Sequence, residues 1–118
     1  MSNQTRARSF QVAISGFFHA LTTQANFQLQ VVIGVLVILS AWVLNFTRFE
    51  WLILIITIGL VLTAELLNTV IEVVIDLAVK EELLPEAKIA KDVAAAAVLL
   101  ISIFSLAVGL ILFLPHLV

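Results

Sequence analysis

The chain has no cysteine and only two histidines. Disulfides and thiol chemistry are therefore excluded, and little scope is left for a zinc site, so any metal would be held by oxygen ligands. Charge is scarce as well, with 12% charged residues and a formal net charge of −2. The basic stripe that a nucleic-acid backbone requires is missing, which excludes a nucleic-acid partner. Four scattered glycines, with no G-x-x-x-x-G-K-[ST] run among them, exclude a P-loop.

What the chain does have is apolar length. At 63% hydrophobic residues and a mean hydropathy of +1.22, its 118 residues lie outside the soluble globular range. They describe an all-α integral membrane protein with room for three spans of about 20 residues and one further helix. A single membrane domain over 1–118 is expected. Residues 5–25 read as an amphipathic interfacial helix, with Phe10, Ile14, Phe17 and Leu21 on one face and Arg8, Ser15 and His19 on the other. Its apolar run is too interrupted for a secretory signal, so the segment is expected to stay on the protein. Residues 27–46, 51–79 and 93–114 form the three spans, and 80–91, containing Pro85, reads as the loop between the last two.

Orientation follows from the basic residues. Arg6, Arg8, Lys80, Lys88 and Lys91 fall on one side of a three-span arrangement and Arg48 alone on the other. The amino terminus and the 80–91 loop are therefore expected in the cytoplasm and the carboxy terminus outside. Trp42 and Trp51 then meet near the outer interface, where indole rings are favoured.

Four polar residues break the second span: Glu65, Asn68, Glu72 and Asp76. At about 100° per residue they fall within an arc of about 80°, so three carboxyls and an amide line one face. Glu65 comes 14 residues after Trp51, roughly 21 Å along the helix axis at 1.5 Å per residue, which puts it in the inner half of the membrane. Clustered acids at that depth repel one another unless protons, a cation or a basic partner neutralise them. The face widens toward the cytoplasmic side, where Lys91 and Asp92 stand at the mouth of the third span. This suits a reaction between a water-soluble reactant and a lipid head group. A small ion transporter fits less well, because the outer halves of the spans offer no ionisable residue to complete a path. Spacing alone is also met by polar glue between packed helices.

Glu65-Leu-Leu-Asn68-Thr-Val-Ile-Glu72-Val-Val-Ile-Asp76, followed by Ala87-Lys-Ile-Ala-Lys91-Asp92, resembles the prokaryotic diacylglycerol kinase and undecaprenol kinase family. The resemblance joins an E-x-x-N-x-x-x-E-x-x-x-D helix to an A-K-D opening the next span, and covers nearly the whole chain. It implies a homotrimeric enzyme of the bacterial inner membrane, with active sites shared between subunits, that transfers the γ-phosphoryl group of Mg-ATP to the hydroxyl of undecaprenol or diacylglycerol. Carried over by position, Glu65 would be the general base, Asn68 would orient substrate or base, Glu72 would ligate Mg²⁺, and Asp76, Lys91 and Asp92 would handle ATP. The family commonly has a metal-binding glutamate where this chain has Gln24, and a basic residue where it has Gln28. A neutral Gln24 still offers a carbonyl oxygen, but with one charge fewer, which opens the alternative of a catalytically weakened paralogue that binds nucleotide or lipid. A helical wheel puts Gln24 about 40° from Phe10, on the edge of the apolar face.

Other polar residues have simpler readings. Lys91 and Asp92 taken alone are an interfacial anchor and a helix start. Asn26 is either a site residue or a cap for the first span. His19 reads as solvated, His116 as tail, and Glu81, Glu82 and Glu86 as a solvated loop. Phe10, Phe17 and Phe18 read as membrane-facing packing.

Overall fold

The computed structural model describes residues 3–80, 82 and 84–118, with side chains from Thr5 onward; Glu81 lies outside the described residues. Four helices follow in order: α1 (Asn3–Thr23), α2 (Ala25–Val43), α3 (Arg48–Val79) and α4 (Pro85–Leu117). No strand occurs among the described residues. The last three helices are each long and apolar enough to cross a membrane, and the protein is a multi-pass membrane protein. It forms a slab of 53 × 42 × 23 Å, with large apolar side chains such as Phe104, Leu106 and Ile111 on its surface.

Helix α1 ends where two threonines turn inward on their own backbone. Thr22 Oγ1 donates to the Phe18 carbonyl at 2.9 Å and Thr23 Oγ1 to the His19 carbonyl at 2.6 Å. Gln24 is extended (φ −103°, ψ 106°), and α2 restarts at once. The corner is pinned by Phe27, which is fully buried and meets Phe17 edge-on at 5.4 Å.

The α2–α3 turn uses Asn45 in the left-handed region (φ 57°). It delivers Thr47 as a reciprocal cap: the Glu50 N–H donates to Thr47 Oγ1 at 3.2 Å, and the Thr47 N–H donates to Glu50 Oε1 at 2.9 Å. Helix α3 then runs 32 residues, about 48 Å, well beyond a hydrocarbon core of about 30 Å. The helix closes on Lys80 in the left-handed conformation, with its N–H on the Asp76 carbonyl at 3.1 Å.

The stretch 80–91, expected as a loop, is mostly helix. Pro85 stands at the start of α4, where its missing N–H costs nothing and its fixed φ suits the first turn, while Leu84 before it is extended. The connection narrows to 80–84, and the charged turns Pro85–Asp92 precede the apolar stretch that opens at Val93.

The main apolar core lies at the Trp51 end. Ala41, Phe46, Leu54 and Leu112 are buried together, and Phe46 packs on Phe113 at 4.7 Å. His116, read from sequence as tail, is helical: it stacks on Phe46 at 4.8 Å and meets Glu50 Oε2 through Nε2 at 2.7 Å. The first turn of α3 and the last turn of α4 are thereby tied.

Candidate functional site

Polar burial falls at one place. Glu65 and Asn68 are 4% and 7% exposed, the buried polar residues among those described. A helix this apolar gains its stability from packing and hydrocarbon, so two buried polar groups one turn apart carry a cost that needs a partner or a ligand to offset it.

Their partners are incomplete. Asn68 Nδ2 donates to Glu72 Oε1 at 3.2 Å, one turn on, while the Asn68 Oδ1 is buried with no hydrogen-bond partner. The Glu65 carboxyl and that of Glu72 lie on the same face of α3, two turns apart. Glu72 is half-buried and also lies in the field of Lys91. The next turn carries Asp76, exposed, whose Oδ1 takes the Lys91 ammonium at 2.8 Å. That bond first, and the Asp76 charge after it, hold the Lys91 amine above its ordinary pKa.

Of the residues named from sequence, the fold thus joins Glu65, Asn68, Glu72, Asp76 and Lys91 into one line running from a buried amide and acid to an exposed ion pair. Asp92 stands apart on α4, paired with Lys88 at 2.7 Å with both side chains well exposed. Gln24 belongs to the α1–α2 corner. The wheel that carried it onto the apolar face fails because α1 stops at Thr23; its amide meets the Thr23 hydroxyl at 3.5 Å.

A cleft of about 1180 Å³ opens between the end of α3 and the start of α4, lined by Asp76, Leu84, Pro85, Lys88, Lys91 and Asp92. Lys88 was not singled out from sequence, although its place four residues before Asp92 is a helical pairing signal. Asn26 is no cap: the capping position of α2 is held by Gln24, and Asn26 is exposed in the first turn of the helix. Among the described residues no three Asp, Glu or His side chains gather into a metal-holding group.

The family profile for prokaryotic diacylglycerol kinase matches residues 11–113. The chain is similar to a diacylglycerol kinase of Synechocystis sp., 44% identical over 109 residues, which cover 92% of this chain but 62% of the relative. It is also similar to an undecaprenol kinase of Bacillus subtilis, 36% identical over 110 residues, covering 93% of this chain and 89% of the relative. An apolar three-span chain that the family profile matches over residues 11–113 belongs to the prokaryotic diacylglycerol kinase family.

Proposed function

We propose that this chain is a lipid kinase that transfers the γ-phosphoryl group of ATP to the hydroxyl of a membrane lipid alcohol, undecaprenol or diacylglycerol. The observation that carries this reading is the line of side chains on α3: a buried carboxylate with no ion pair among the described residues at one end, and at the other a lysine–aspartate pair on the rim of a cleft. Family membership supports it, and the named relatives supply both substrates between them.

Phosphoryl transfer asks a protein mainly for positioning and charge stabilisation, so a few helix-borne side chains suffice. In this reading the lipid hydroxyl oxygen forms a bond to the γ-phosphorus, and its proton passes to the Glu65 carboxylate. The bond from the γ-phosphorus to the bridging oxygen breaks, and ADP leaves with the electron pair. Glu65 returns the proton to solvent. Asn68 orients the acceptor or the base through its unpartnered carbonyl oxygen. Lys91, held by Asp76, meets the phosphates electrostatically, and Asp92 stands on the same rim.

The residues present also fit Mg²⁺, which keeps several waters and takes one or two carboxylates with phosphate oxygens rather than a closed protein cage. Glu72 would hold it, with the orphaned Asn68 Oδ1 as a neutral oxygen nearby. Bound there, the ion supplies neutralisation of charge on the transferred group. Gln24 stands at the α1–α2 corner, where its Nε2 donates to the Thr23 hydroxyl at 3.5 Å and its carbonyl oxygen is the atom it has to offer the ion.

The same reading sets the Asp76 end, with the amino terminus and the 80–84 connection, in the cytoplasm of a bacterium, the carboxy terminus outside, and the chain in the inner membrane as a homotrimer with shared sites. The experiment is reconstitution in mixed micelles with Mg-ATP and each lipid in turn, with Glu65→Gln as blank. Transfer to either lipid names the acceptor. Absence of transfer to both, with turnover created by Gln24→Glu, would favour the second reading, a weakened nucleotide- or lipid-binding paralogue, for which the neutral Gln24 is the motivation.

A further inference from the structure

Lys88 stands where a lysine does little for its own helix. It ends the first turn of α4, near the positive end of the helix dipole, where a cation is disfavoured. Its pair with Asp92 runs from lysine to acid along the chain, the weaker order for two residues four apart, and both side chains are well exposed. What distinguishes Lys88 is its neighbourhood, because it lines the cleft of about 1180 Å³ together with Lys91, Asp76 and Asp92.

Two lysine–aspartate pairs thus share one cleft and are built alike. The Lys91 ammonium donates to Asp76 Oδ1 at 2.8 Å, and the Lys88 ammonium donates to Asp92 Oδ2 at 2.7 Å. An ammonium carries three N–H groups, so each lysine keeps two for a ligand once its aspartate has taken one. Three residues apart on one helix, Lys88 and Lys91 share a face with their Cβ atoms about 5–6 Å from each other, and their flexible stems can reach adjacent phosphates of one polyphosphate chain. The carboxylate beside each ammonium offsets the repulsion between the two cations.

We infer that Lys88 is a second phosphate-binding residue of the cleft, and that Asp92 is a positioning residue that acts through Lys88 rather than a group that touches the nucleotide. The inference rests on the reading of the cleft as the place of ATP. It gives the two aspartates the same task from different helices, Asp76 of α3 holding Lys91 and Asp92 of α4 holding Lys88.

The test is equilibrium binding of Mg-ATP together with steady-state kinetics in mixed micelles, for Lys88→Met, Lys88→Arg, Asp92→Asn and the double variant of Lys88→Met with Asp92→Asn. Lys88→Met is expected to weaken ATP binding about 5- to 10-fold, with kcat changed by less than about 2-fold and KM for the lipid unchanged. Lys88→Arg should keep most of the affinity, and the difference between wild type and Lys88→Met should narrow as salt is raised, because an exposed contact is screened. Asp92→Asn should weaken ATP binding about 5-fold when Lys88 is present and about 2-fold or less when it is replaced by Met, because the two residues act as a unit. If Lys88→Met does not assemble, Lys88→Gln carries the same comparison. With ATP bound by wild type and held less tightly by Lys91→Met, an unchanged affinity in Lys88→Met overturns the role of Lys88, and a rise in KM for the lipid alone makes it an interfacial anchor instead. An equal loss from Asp92→Asn in both backgrounds overturns the positioning role of Asp92. No ATP binding by wild type, or undiminished binding by Lys91→Met, overturns the underlying reading of the cleft.

Discussion

Lys91 on α4 and Asp76 on α3, fifteen residues apart, meet at 2.8 Å across the hairpin that joins their helices. Each is partly open to solvent, and the pair frames the cleft. A surface pair of this kind does little for stability, so its worth lies in where it holds the ammonium group.

Lys91→Met is therefore expected to raise KM for ATP at least about tenfold, the size of one lost charge-assisted contact, with a smaller effect on kcat. The amine is held above its ordinary pKa by Asp76, so the pair is intact below the ordinary lysine value and is lost only as pH rises through the raised one. ATP affinity should stay flat through mildly alkaline pH, and Asp76→Asn should move the alkaline fall to lower pH. Equilibrium nucleotide binding against pH checks both.

Glu65→Gln should lower kcat by about 10²- to 10⁴-fold, the span of general-base catalysis, without loss of ATP binding. Thermal unfolding in detergent should show no loss of stability, because the variant replaces a buried ionisable group by a neutral one.

Magnesium dependence separates positions 72 and 24. Glu72→Gln should raise the Mg²⁺ concentration needed for half-maximal turnover, and Gln24→Glu should lower it, each by several-fold as a ligand charge is lost or gained. A Mg²⁺ titration of activity gives both values; no response at position 24 would mean the corner residue stays out of the metal's reach.

Far from this chemistry, Thr47→Ala removes half of the reciprocal cap on α3. It should cost about 1 kcal/mol and lower the unfolding midpoint by a few degrees, with turnover unchanged. Differential scanning in micelles is the measurement.

Much of this was legible in the sequence because a membrane allows few choices. Apolar runs fixed the helices, and clustered acids at helical spacing marked the face that later gathered Lys91. What escaped depends on relations that periodicity does not carry. Pro85 read as an interruption, but one residue after an extended Leu84 it starts a helix. Asn26 left cap and site equally open, and only the chain's actual break at Gln24 removes the cap. His116 read as tail because nothing in a linear pattern reveals that the last turn of α4 returns to the first turn of α3.

That return has a mechanical meaning. Helices α3 and α4 are fastened to each other at Glu50 with His116 and again at Asp76 with Lys91, two points 26 residues apart on α3, or about 39 Å along its axis. Lengthwise sliding of one helix past the other has to open both fastenings at once. While both hold, the freedom left to the pair is rolling about its long axis, which would swing Glu65, midway between the rivets, sideways rather than up or down through the bilayer.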